Sequence, residues 1–129
     1  MGRPVVVAIT CAALSVVFPA ASHAAPAPPP PPCSFMISAP LRDGATVVTT
    51  VTSTGCAAAA APYSAVACLG QDGGAPAVCV QSHGSDPARV SIPYLPGATF
   101  TASGRGCAGW LGLPPAADCQ LLGPTRVVP

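Results

Sequence analysis

From residue 33 onward, apolar residues fall into short runs that alternate with polar ones or are rich in β-branched side chains, and no window repeats with a helical period. Seven runs stand out: 34–39, 46–54, 63–69, 77–81, 88–92, 98–104 and 120–128. Turn-forming residues separate them, as Arg42-Asp43-Gly44, Gln71-Asp72-Gly73-Gly74, His83-Gly84-Ser85-Asp86-Pro87 and Leu95-Pro96-Gly97. Proline and glycine recur too often for a long helix. The alanine run 57–61 has helical propensity, but its length and Pro62 restrict it to one turn at most. The pattern predicts an all-β chain, an antiparallel β-sandwich of about seven strands.

The first part of the chain reads differently. Arg3 precedes an apolar stretch from Val5 to Phe18, and Ser22-His23-Ala24 forms a small-x-small cleavage pattern. This predicts a signal peptide over 1–24. The stretch is short for a transmembrane span, so no transmembrane segment is expected in the mature chain. Residues 25–32 are only alanine and proline, which favours an extended polyproline II spacer over a packed segment. The domain is then 33–129.

Six of the seven cysteines lie in that domain, and Cys11 lies in the signal segment. An even count on an exported chain predicts a disulfide framework. With strands alternating in direction, Cys68 and Cys79 face each other across a hairpin. Cys33, Cys56, Cys107 and Cys119 all fall at the opposite end. Three pairings remain, each containing Cys68–Cys79. Adjacency in sequence favours Cys33–Cys56 and Cys107–Cys119 among them. No C-x2-C knuckle is present and His83 is the only histidine after residue 24, so no metal site is expected.

Charge removes further classes. The chain has no lysine, glutamate or asparagine, and Arg42, Arg89, Arg105 and Arg126 balance Asp43, Asp72, Asp86 and Asp118. Without a basic stripe, nucleic acid is not an expected partner. Catalysis has one nominal couple, His83 and Asp86 with Ser82 or Ser85 nearby, but the same residues are what a turn is made of. No catalytic residue and no cofactor are expected. A secreted hydrolase is the minor alternative.

Two resemblances add to this. The stretch Val90-Ser91-Ile92-Pro93-Tyr94-Leu95-Pro96-Gly97-Ala98-Thr99-Phe100 resembles the passage between the fifth and sixth strands of fibronectin type III and other immunoglobulin-like domains, except that Phe100 lacks the hydroxyl of a corner tyrosine. Tyr63-Ser64-Ala65-Val66-Ala67-Cys68 followed by Cys79, and Cys107 with Cys119-Gln120-Leu121-Leu122-Gly123, resemble the two disulfide hairpins of neocarzinostatin-type apoproteins. Those are secreted by actinobacteria and hold an apolar chromophore against one sheet. The resemblance implies that fold and an apolar ligand. The chain departs from it in a longer Cys107–Cys119 loop and in the additional pair Cys33–Cys56. A composition rich in alanine, proline, glycine, valine and arginine fits the same actinobacterial, secreted setting.

The expectation is a secreted non-catalytic binding module for an apolar small molecule or a protein partner. A passive component of the cell envelope or extracellular matrix is the alternative. Three connections, 55–62, 83–87 and 108–118, are expected to share one end of the sandwich as a binding edge. The candidate binding residues are Trp110, Leu111 and Leu113 on the third connection and His83 on the second. Trp110, the only tryptophan, has two readings. It plugs the end of a small core, as large apolar side chains usually do, or it anchors a partner at the edge.

Overall fold

The computed structural model describes residues 2, 17–27, 30–114 and 118–129. Most of the segment assigned as a signal peptide lies outside the described residues, as do 28–29 of the spacer and 115–117 of the last connection. Residues 17–27 are exposed and have no regular structure. Among the described residues, no helix is long and apolar enough to cross a membrane.

The chain is all-β. Its strands are β1 (Cys33–Ile37), β2 (Leu41–Asp43), β3 (Thr46–Cys56), β4 (Ala60–Gln71), β5 (Val78–His83), β6 (Ala88–Pro93), β7 (Phe100–Trp110) and β8 (Asp118–Val127). They form two antiparallel sheets. In the first, β3 pairs with β1 and β2 along one edge and with β6 along the other. The second has the order β5-β4-β7-β8. The fourth of the seven long strands therefore lies beside the third, whereas a constant-type immunoglobulin domain keeps it on the first sheet.

Several boundaries differ from the sequence expectation: β7 runs from Phe100 to Trp110 rather than over 98–104, and two further changes concern β2 and the connection after β3. Strand β2 falls where Arg42-Asp43-Gly44 reads as a turn. It continues the line of β1 after a break at 38–40, where Pro40 has no N–H to give to a ladder. Side chains bridge the break: Thr49 Oγ1 donates to the Ser38 carbonyl at 2.7 Å, and the Thr50 N–H donates to Ser38 Oγ at 3.0 Å. The turn itself shifts to Gly44 and Ala45. The connection expected over 55–62 shrinks to 57–59, because β3 runs to Cys56 and β4 starts at Ala60. Strand pairing thus overrides the helical propensity of alanine, and Ala59 closes the turn at φ 62°.

Small side chains fill the space between the sheets. Phe35, Val47, Val51, Ala65, Ala67, Leu69, Ala88, Val90, Phe100, Ala102 and Ala108 form the buried cluster. On the inner side of β7, a Cβ added at Gly106 would overlap the Phe35 ring, and one at Gly104 would lie 2.8 Å from Val51 Cγ2. These two glycines let β1 and β3 approach. At the other end, Leu95-Pro96-Gly97-Ala98 turns with proline then glycine (φ 76°) at its centre, as a type II turn requires. This brings Tyr94 onto Phe100, with ring centroids 6.5 Å apart and planes at 15°, and Arg42 caps the Tyr94 ring at 4.1 Å.

Three disulfides join Cys33 to Cys56, Cys68 to Cys79 and Cys107 to Cys119. Each links residues directly opposite in neighbouring strands, with Cα atoms 4.0 Å apart. Each contributes about 2–4 kcal/mol by restricting the unfolded chain. Thiol titration of residues 25–129, denatured without reductant, is expected to find no free thiol, and reduction to unfold the domain. Two or more free thiols would contradict the pairing.

The glycine contact gives a second expectation. Gly106→Ala should lose about 1–3 kcal/mol in chemical denaturation through overpacking against Phe35. Gly55→Ala, where an added Cβ meets nothing within 4 Å, serves as the control. Equal stability of the two variants would mean that the Phe35 ring moves aside freely.

Candidate functional site

The structure brings two of the expected connections together and gives them new boundaries. Trp110 is the last residue of β7 and lies opposite Ala60, the first of β4. The Leu111 N–H donates to the Ala59 carbonyl at 2.7 Å, and the Leu113 N–H donates to the Trp110 carbonyl at 3.2 Å. Trp110 is 38% exposed, and Leu111 and Leu113 are more so. With Pro62 and Tyr63 they line a shallow hollow of about 230 Å³.

Trp110 is thus more exposed than the core-plug reading expects. Phe35 over Gly106 and the buried Ala108 fill the part of the core that precedes it. Trp110 lies two residues beyond Ala108, the last fully buried position of β7.

His83 ends β5 and begins a tight turn. The Asp86 N–H donates to the His83 carbonyl at 3.3 Å, Ser82 Oγ donates to the Asp86 carbonyl at 2.6 Å, and Gly84 takes φ 61°. The turn reaches the same end of the sheet, where the Gly84 N–H donates to the Tyr63 carbonyl at 2.8 Å. His83 lies opposite Ser64 on one side of β4, however, and Trp110 opposite Ala60 on the other. Among the described residues, no side-chain hydrogen bond joins His83 to Asp86 or to a serine. Nor do three His, Cys, Asp or Glu side chains gather as a metal site would need.

A larger concavity lies where the sequence gave no candidate. Ala65, Ala67 and Leu69 of β4 are buried between the sheets, so Val66 and Cys68 face outward. Across the pairing, Ser103 lies opposite Cys68, and Arg105 lies opposite Val66 on one side and Leu121 on the other. A bulge raises the far wall. Ala102 pairs with Thr125 and Gly104 with Leu122, so Ser103 alone opposes the two residues Gly123 and Pro124. The resulting groove has a volume of about 470 Å³, within the range of small-molecule sites. Leu121 stands on its rim, 83% exposed.

The lining is apolar apart from Ser103 and Arg105. Arg105 differs from the other arginines of the domain. Arg89 pairs with Asp43 at 3.0 Å, Arg126 pairs with Asp72, and Arg42 covers Tyr94. Arg105 makes no ion pair among the described residues. It leaves one unneutralised cation beside an apolar floor.

Sequence reasoning missed this groove, although a signal for it exists. A half-buried strand should alternate apolar and polar residues, yet 65–69 is apolar throughout, so its outward positions are apolar as well. Comparison of the chain with protein-family models, with curated proteins and with solved structures finds no match in any of the three.

Substitution distinguishes edge from core. Phe100→Ala, at a site with no exposure, is expected to lose about 3–5 kcal/mol in denaturant titration. Trp110→Ala should lose only about 1–2 kcal/mol, in keeping with partial burial. A loss at Trp110 as large as that at Phe100 would return the indole to the core.

Proposed function

We propose that this chain is an exported, non-catalytic binding module that holds an apolar small molecule in the groove formed by β4, β7 and β8. The observation that carries the reading is an outward sheet face built from Val66, Cys68, Leu121 and Pro124, where a passive domain needs none of that apolar surface. Arg105 sits at the rim of the same face and fits an acidic group on the ligand. The ligand class is thus an apolar body carrying one anionic substituent. The resemblance of the disulfide hairpins to neocarzinostatin-type apoproteins supports a ligand held against one sheet. The apolar leader and the three bridges support an exported protein, since disulfides persist in oxidising compartments.

A second reading rests on a separate observation. Trp110, Leu111 and Leu113 are exposed on the connection clamped by Cys107–Cys119, which suits a protein partner. One set of probes separates the two. The anionic dye 8-anilinonaphthalene-1-sulfonate should bind the folded protein, and Leu121→Asp should weaken it about tenfold or more, equivalent to about 1.4 kcal/mol. Arg105→Gln should weaken the anionic dye but leave a neutral dye of similar size unaffected. Loss of dye binding in Trp110→Ala, with Leu121→Asp unaffected, would move the site to the β7–β8 connection.

A further inference from the structure

Every edge strand leaves backbone groups that only water or another strand can satisfy, and proteins blunt such edges. Three of the four edges in this sandwich are blunted. The β1–β2 edge is broken at Pro40 and bulged at Ser34–Phe35, and the Phe35 N–H donates to Gln120 Oε1 at 2.9 Å. Strand β6 carries Arg89 and ends in Pro93. Strand β8 carries the Gly123–Pro124 bulge and Arg126. Strand β5, Val-Cys-Val-Gln-Ser-His, has no proline and no Asp, Glu, Lys or Arg. It pairs with β4 over Val78–His83 without a register shift. Among the described residues, no strand pairs with its other edge.

The register shows which groups point outward. The Gly84 N–H donates to the Tyr63 carbonyl while His83 lies opposite Ser64, which makes that pair a non-hydrogen-bonded one. Alternation then assigns the inward bonds to Ser82, Val80 and Val78. The N–H groups of Cys79, Gln81 and His83, and the carbonyls of Cys79 and Gln81, face away from β4. The bridge between Cys79 and Cys68 fits this, because non-hydrogen-bonded pairs bring side chains closest.

We propose that a second copy of this chain pairs antiparallel along β5, with the two-fold axis between Gln81 and the partner's Gln81. In that register Cys79 lies opposite the partner's His83: the Gln81 N–H meets the partner's Gln81 carbonyl, the His83 N–H meets the partner's Cys79 carbonyl, and the Cys79 N–H shares the partner's His83 carbonyl with the turn bond that it already accepts. The occupant is a second copy for two reasons. One axis satisfies the outward groups of both strands at once, as an isologous contact requires. The strand also carries no formal charge when histidine is neutral, so two identical strands do not repel, whereas an edge bearing an unpaired Arg would. Val80 and Val78, 38% and 48% exposed, gain cover from the partner strand on the inner side of the sheet. Five paired residues per copy, 79–83, bury far less than the roughly 800 Å² per partner of a standard interface, so the dimer is a weak one that forms with concentration. The two grooves then open on the same face of a continuous eight-stranded sheet.

Sedimentation of the exported protein across micromolar to millimolar concentration, combined with residue-resolved amide exchange, tests this. The dimer fraction should rise with concentration. Exchange at Cys79, Gln81 and His83 should slow about tenfold with it, while exchange at Val80 and Ser82, already in the ladder, should not change. Gln81→Lys, which sets like charges together at the axis, should abolish both effects. So should Gln81→Pro, which removes an N–H that β4 does not use. A monomer at millimolar concentration overturns the proposal. So does a dimer that leaves those three amides unprotected, or one that persists in Gln81→Lys.

Discussion

Ala102, Gly104, Gly106 and Ala108 make up the middle of the inner face of β7, and the approach of the facing strands follows from them. With no side chain beyond a methyl over that stretch, Phe35 lies on Gly106 and Val51 on Gly104, and the sheets close on each other with a thin interior there. An interior that thin accommodates alanine, valine and a few larger groups such as Leu69 and Phe100. Close packing leaves it no capacity for more. Ile37, Ile92, Tyr94 and Leu122 pack partly buried against it, while Trp110 at the end of β7 and Leu121 on the open face of β8 are left exposed. The candidate surfaces are thus a consequence of the narrow core.

The disulfides work in the other direction. None joins the two sheets, unlike the bridge between sheets in antibody domains. Each fixes a strand to its neighbour within one sheet, and so fixes register where small side chains specify it weakly. The Cys68–Cys79 bridge also lies on the outer face, where it stiffens the floor of the groove against the edge strand β5. A ligand meeting a stiff floor loses little further freedom there.

The strands were legible because a period of two, punctuated by turn residues, is a local property of the chain. Strand β2 was not, because Arg42-Asp43-Gly44 is turn chemistry, and only pairing with Thr46–Val48 makes part of it a strand. Trp110 was ambiguous for a different reason. Its side chain is of the kind that is usually buried, but it stands at the end of β7, two residues beyond the last buried position, and is partly exposed. The groove was hidden by ambiguity. In 65–69 both faces are apolar, and nothing local says which of Val66 or Ala67 the other sheet covers. Pro124 within a strand was a visible sign of a bulge, but the wall it builds depends on which residues of β7 it opposes.

The positions of Cys33 and Cys119 make the domain mechanically asymmetric. The chain enters β1 at Cys33, and that residue is bonded to Cys56. A pull arriving from the proline-rich side therefore reaches two strands at once and cannot peel β1 from its first residue without breaking a covalent bond. At the other terminus the lock is at the far end of the strand. Tension on Pro129 would unzip β8 from Val127 back through Gln120, one hydrogen bond after another, and stop only at Cys119. Under load from its amino-terminal side the fold is loaded in shear across the sheet, and under load from its carboxy-terminal side it opens as a zip.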